Sequence, residues 1–156
     1  MRRAHLLILV AWLLHAAAWF LPIVKDMPRF PSTLPGWEAF RTASGAVWPY
    51  EGVHFTSGFY AVLATVSAVA TALFIFGSPW VVLRGSHSLR RASAWAAATA
   101  GIVNAHWYVL FGRDRSDLRI GYFIWWFSFL LLAIGLFDLA GQHRVEFKQS
   151  QTATHE

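Results

Sequence analysis

Four long apolar runs alternate with shorter polar intervals along the chain, at residues 6–24, 57–83, 92–111 and 120–140. A helix rising 1.5 Å per residue needs about 20 residues to cross a hydrocarbon core of about 30 Å, so each run is long enough to span. The pattern predicts an all-α membrane protein: four transmembrane helices in an antiparallel bundle over residues 1–141, then a polar cytoplasmic tail at 142–156. A long connection at 25–56 becomes the first external loop.

Each run has its own character. The first carries Arg2 and Arg3 ahead of an apolar core, which also fits a cleavable signal peptide. It continues through Trp19, Phe20 and Leu21 beyond the small residues 16–18, which favours a retained helix. The second is rich in small and hydroxyl residues, and Ala64, Ala68 and Ala72 fall on one face at intervals of four. Gly77-Ser78-Pro79 is expected to end or kink it, leaving Trp80 at the interface. The third has Ala92, Ala96, Ala100 and Asn104 at the same spacing and is the least hydrophobic, so the other helices are expected to surround it. The fourth opens on aromatic residues from Tyr122 to Phe129, as at a membrane interface.

Prolines at 28, 31, 35 and 49 exclude a regular strand or long helix from the 25–56 connection. Within it, Pro35 to Arg41 predicts a short amphipathic helix, with Thr33 as its cap and Pro35 in its first turn. Trp37 and Phe40 share one face, and Glu38 and Arg41 another. Such a helix lies at the headgroup level over the outer end of the bundle, and these four residues form a candidate periplasmic interaction face.

Composition strengthens the membrane reading. Only 13% of the 156 residues are charged against 56% hydrophobic, whereas soluble domains average about 25% charged. The net charge of +5 sits at the edges of the runs, and no basic stripe on a soluble fold points to nucleic acid. With both termini on one side, that side holds seven basic residues (Arg2, Arg3, Arg84, Arg90, Arg91, Arg144, Lys148) and the other six (Lys25, Arg29, Arg41, Arg113, Arg115, Arg119). The bias is small; together with the compact clusters at 2–3 and 84–91 it puts both termini in the cytoplasm. The absence of cysteine excludes disulfides, thiolate catalysis and cysteine metal sites.

Three segments together, Trp19-Phe20-Leu21-Pro22, Leu34-Pro35-Gly36-Trp37-Glu38-Ala39-Phe40-Arg41 and Gly121-Tyr122-Phe123-Ile124-Trp125-Trp126-Phe127-Ser128-Phe129, resemble a group of small bacterial four-helix inner-membrane proteins of unknown function. The resemblance implies a multi-pass protein of the bacterial inner membrane that keeps its first helix. It carries over no catalytic residue. A claudin-like outline fails for want of the loop cysteine pair.

Intramembrane polar residues are the places to look for chemistry, because hydrocarbon leaves them costly unless paired. These are His15, Asn104, His106 and Asp138. A haem or metal held by His15 and His106 is disfavoured, since helical rise sets the two about 8 Å apart in depth. Polar bonds to neighbouring helices are the expectation for His15 and Asn104, and contact with water, Arg84 or Arg144 for Asp138. A site drawn from His54, His106, Glu38, Glu51 and Asp117 has no specific spacing. No nucleophile triad or phosphate loop is present. The expectation is a non-enzymatic accessory or interaction protein with no cofactor. Its partners would be the bilayer and a second copy or another membrane protein. The alternatives are a small transporter or channel subunit, or a membrane redox protein.

Overall fold

The computed structural model describes residues 3–25, 33–45, 47–48, 57–110 and 116–153. Arg2, Arg29, Glu51, His54, Arg113 and Arg115 lie outside them. The chain is mostly helical: α1 (Arg3–Phe20), α2 (Gly36–Ser44), α3 (Gly58–Ala72), α4 (Ser78–Arg84), α5 (His87–Asn104), α6 (His106–Leu110) and α7 (Ile120–Ala153). Two short strands, β1 (Pro22–Val24) and β2 (Leu34–Pro35), pair antiparallel. Three helices are long and apolar enough to cross a membrane: Arg3–Phe20, Gly58–Arg84 and Ile120–Gln142.

Helix α7 is the one the others pack around. Its Ser128, Phe129, Leu132, Ala133 and Leu136 are all buried. Helix α1 runs opposite to it, since Gly121 meets Leu21 and Pro22 while Gly135 meets Ile8 and Ala4. Helix α5 does the same on another flank, where Gly101 touches Leu130 and Trp95 packs edge-on against Phe137. Small residues at these contacts let the helices approach closely.

The expectation that residues 92–111 form the surrounded helix is corrected. Helix α5 starts earlier, stops at Asn104 and gives way through Ala105 to the short α6. It buries Arg90, Ala94, Ala97, Gly101 and Asn104, while Ala92 and Ala96 are exposed. Spacings of three and four alternate on the buried face because the helix has 3.6 residues per turn; a strict interval of four drifts off it. The same alternation on α3 buries Ala64, Ser67, Ala68 and Thr71.

Gly77-Ser78-Pro79 neither ends nor breaks the second run. A π-helical turn, Leu73–Gly77, joins α3 to α4, with the Ser78 N–H donating to the Leu73 carbonyl five residues back. In that ladder the Phe74 carbonyl would next be served by residue 79, and proline has no N–H to give. The Ser78 hydroxyl donates to it instead, at 2.6 Å.

The first run ends at Phe20, two residues before Pro22, whose ring disfavours helix for its predecessor. The prolines tolerate a strand after all, because the ribbon is two residues deep and asks little of their missing N–H groups. Residues 117–119 join its other edge: the Lys25 N–H donates to the Asp117 carbonyl and the Arg119 N–H to Ile23, both at 2.8 Å. A turn expected between spans thus closes one end of the molecule, with Val24, Leu118 and Tyr122 as a small core. At the other end α7 continues through Ala153.

Helix α2 forms where expected but is held differently. Pro35 occupies the cap position with no side-chain hydrogen bond, so Thr33 does not cap it. Gly36 fixes it instead. Its N–H donates to the Leu21 carbonyl, and a Cβ there would be driven into the Ala18 carbonyl oxygen.

Candidate functional site

Polar side chains within the apolar interior form a set of bridges between helices. The His15 Nδ1 lies 2.9 Å from the Ser128 hydroxyl, which itself donates to the Trp125 carbonyl at 2.6 Å. With its only hydrogen so used, the Ser128 oxygen accepts from His15 Nδ1–H. The His15 Nε2 is buried without a partner. The ring stacks on Phe74 at 4.0 Å and meets Phe129 edge-on.

One to two turns away, Ser67 on α3 donates to Asn104 Oδ1 on α5 at 2.6 Å and accepts from the Trp107 indole at 3.2 Å. The Tyr122 hydroxyl donates to the Asn104 carbonyl. Three more indoles act the same way: Trp12 donates to Ser78, Trp125 to Thr71 and Trp126 to the Gly101 carbonyl. Indole N–H groups need partners when buried. This chain gives them hydroxyls and carbonyls on the next helix.

Several of these groups line a cavity of about 160 Å³ beneath α2. Ser67, Thr71, Trp107, Tyr122 and Trp125 form one wall, and Trp19, Ala39, Phe40 and Ala43 the wall below α2. Phe40 lies on Trp19 with ring centroids 5.4 Å apart. A cavity of this size and lining suits a small apolar group. The Ser67, Thr71 and Tyr122 hydroxyls on its wall are already engaged, and none of the three is paired with a base.

The expected site residues fall in separate places. His15 and Asn104 are 2% and 0% exposed and serve different bridges. His106 turns its Nδ1 to the Val103 carbonyl, across the break after α5. Asp138 meets Arg3, at 3.4 Å, rather than Arg84, because the antiparallel packing brings the start of α1 beside the second half of α7; the Arg144 side chain lies outside those described. Among the described residues no three His, Asp or Glu side chains gather as a metal site would require. Trp37 and Phe40 part company: Phe40 faces the cavity, while Trp37 is 44% exposed. Glu38 is half-buried and Arg41 exposed.

Ser67, Thr71 and Ser128 act as bridge residues, although their spacing alone marks the first two as small packing groups. Trp125 and Trp126 were assigned to an interface belt. Arg90 was also missed. Counted among the surface charges, it is buried, donating to the Val81 and Val82 carbonyls at the end of α4.

Comparison with protein-family models, with characterised proteins and with solved structures returned no match.

Proposed function

We propose that the chain is a four-span antiparallel bundle of the bacterial inner membrane, with cytoplasmic termini, acting as a non-enzymatic accessory or interaction protein. Three of the spans rest on helices of sufficient length and apolarity. The fourth is α5, whose basic first turn sits at the headgroup level and whose buried face is covered by α7. Bacterial origin is supported by the sequence resemblance alone.

One observation carries the interaction reading: α2 uses one face to hold the bundle and leaves the other outward. Gly36, Ala39, Phe40 and Ala43 face the cavity, while Trp37, Arg41 and, just beyond, Val47 and Trp48 are exposed. Aromatic and arginine side chains held on a rigid element are the groups interfaces favour. The partner is a second copy or another membrane protein. A photo-crosslinking residue in place of Trp37 is expected to give discrete protein adducts in membranes, and the same residue at lipid-facing Phe76 none. Equal labelling, or lipid adducts alone at both positions, would remove the reading.

A transport path along His15, Asn104 and Asp138 gains no support, since each side chain ends in its own contact. A histidine metal pair gains none either, with His15 and His106 turned to different partners.

A further inference from the structure

We propose that the groove between α3–α4 and α5 binds one acyl chain of an anionic phospholipid, whose phosphate is held at the α4–α5 turn. The inference rests on the membrane-spanning reading and goes beyond it.

The groove exists because α3–α4 is pinned to α5 by polar bonds at both ends and by little between. Ser67 and Asn104 join one end, and Arg90 with the Val81 and Val82 carbonyls the other. Between them Ala96 and Ala100 are too short to fill the gap. About 710 Å³ is left, floored by Phe129, Leu132 and Leu136 of α7. The groove follows α3–α4 from Thr65 to Val81, about 24 Å at the helical rise. The groove is long and its walls are almost wholly apolar, which suits a polymethylene chain lying along it.

The charge at one end selects the headgroup. From residue 57 to 110 the chain has no Asp or Glu, while Arg84, His87, Arg90 and Arg91 surround the turn. Arg84 and Arg91 are exposed and form no ion pair among the described residues. Arg90 is 7% exposed and has one guanidinium nitrogen, NH1, without a partner. The exposed Ser86 and Ser88 hydroxyls lie beside each other at 3.1 Å. Trp80, Val81 and Ser93, on the groove wall, come within a few residues of this cluster. Guanidinium and hydroxyl donors with no acid paired to them among the described residues suit a phosphate, and a polybasic turn at the membrane edge favours anionic lipid.

The test is native mass spectrometry of the detergent-purified protein, offered equal amounts of phosphatidylglycerol and phosphatidylcholine with identical chains. Phosphatidylglycerol is expected to be retained at least about fivefold over phosphatidylcholine. The R84Q/R91Q double variant should bring that ratio to near one. Ala96→Phe, or Thr99→Leu on the exposed rim should the first not fold, should lower retention of both lipids. Excess glycerol phosphate should displace neither. Equal retention of the two lipids, an unchanged ratio in the double variant, unaltered binding in the groove-filling variant, or displacement by glycerol phosphate would each overturn the proposal. Alkaline carbonate extraction separates the failures: release into the soluble fraction removes the membrane reading, whereas retention without lipid preference removes only this site.

Discussion

His15 and Ser128, 113 residues apart in sequence, meet at 2.9 Å in the buried contact between α1 and α7. Interhelical bonds of this kind are worth about 0.6 kcal/mol on average and up to about 1.7, because the polar groups find other partners when the helices separate in lipid. A double-mutant cycle of His15→Leu and Ser128→Ala in detergent should return a coupling in that range. Zero coupling would mean that stacking on Phe74 alone holds the ring.

A second prediction concerns Gly36. Its Cβ position is blocked by backbone atoms of Ala18 and Trp19, which cannot move aside as a side chain can. Gly36→Ala should cost at least about 2 kcal/mol, at the upper side of overpacking penalties. Gly58 has nothing within 4 Å of its Cβ position, so Gly58→Ala should be neutral or stabilising by up to about 1 kcal/mol. Thermal or denaturant unfolding of the two variants measures the difference.

The two aromatic residues of α2 should separate under mutation. Phe40→Ala removes the ring packed on Trp19 and enlarges the cavity below; for a half-buried position a loss of about 1–3 kcal/mol is expected. Trp37→Ala should stay within about 0.5 kcal/mol of the parent, as exposed substitutions do. If Trp37→Ala proves as destabilising as Phe40→Ala, the outward face is not free.

Much of this was readable from residues. The boundaries of α3–α4, the existence of α2 and the close packing of small residues followed from run length, proline placement and spacing. What did not follow was which helix would be central. Composition pointed to the alanine-rich 92–111 run, but α7 is central because Phe129, Leu132 and Leu136 bring enough volume to contact two flanks at once. Similarly, Trp125 in a run of aromatics looks like an interface anchor until Thr71 arrives from another helix, 54 residues earlier. Non-local pairings of this kind leave no periodic trace.

Arginines 90 and 91 are adjacent yet should behave differently. The buried Arg90 guanidinium donates to the Val81 and Val82 carbonyls at the end of α4, the first of which also accepts the Gly85 N–H, so Arg90→Met should cost about 1–3 kcal/mol. Arg91→Gln, at an exposed position, should cost less than about 0.5 kcal/mol. The exposed Arg3–Asp138 pair belongs with Arg91: Asp138→Asn should change stability by no more than about 1 kcal/mol, and less at high salt. Unfolding curves at two ionic strengths check all three.

The wide turn at Leu73–Gly77 has a consequence for the length of the chain itself. A π turn accommodates one residue more than a regular turn, so Gly58–Arg84 reads as a regular helix that has absorbed a single-residue insertion without displacing either end. Deleting Ile75 would remove the insertion and restore an uninterrupted ladder as far as Pro79. Both halves would keep their present faces, with Thr71 still toward Trp125 and Ser78 still toward Trp12. The extra residue changes the ladder locally and leaves the partners of the helix where they were.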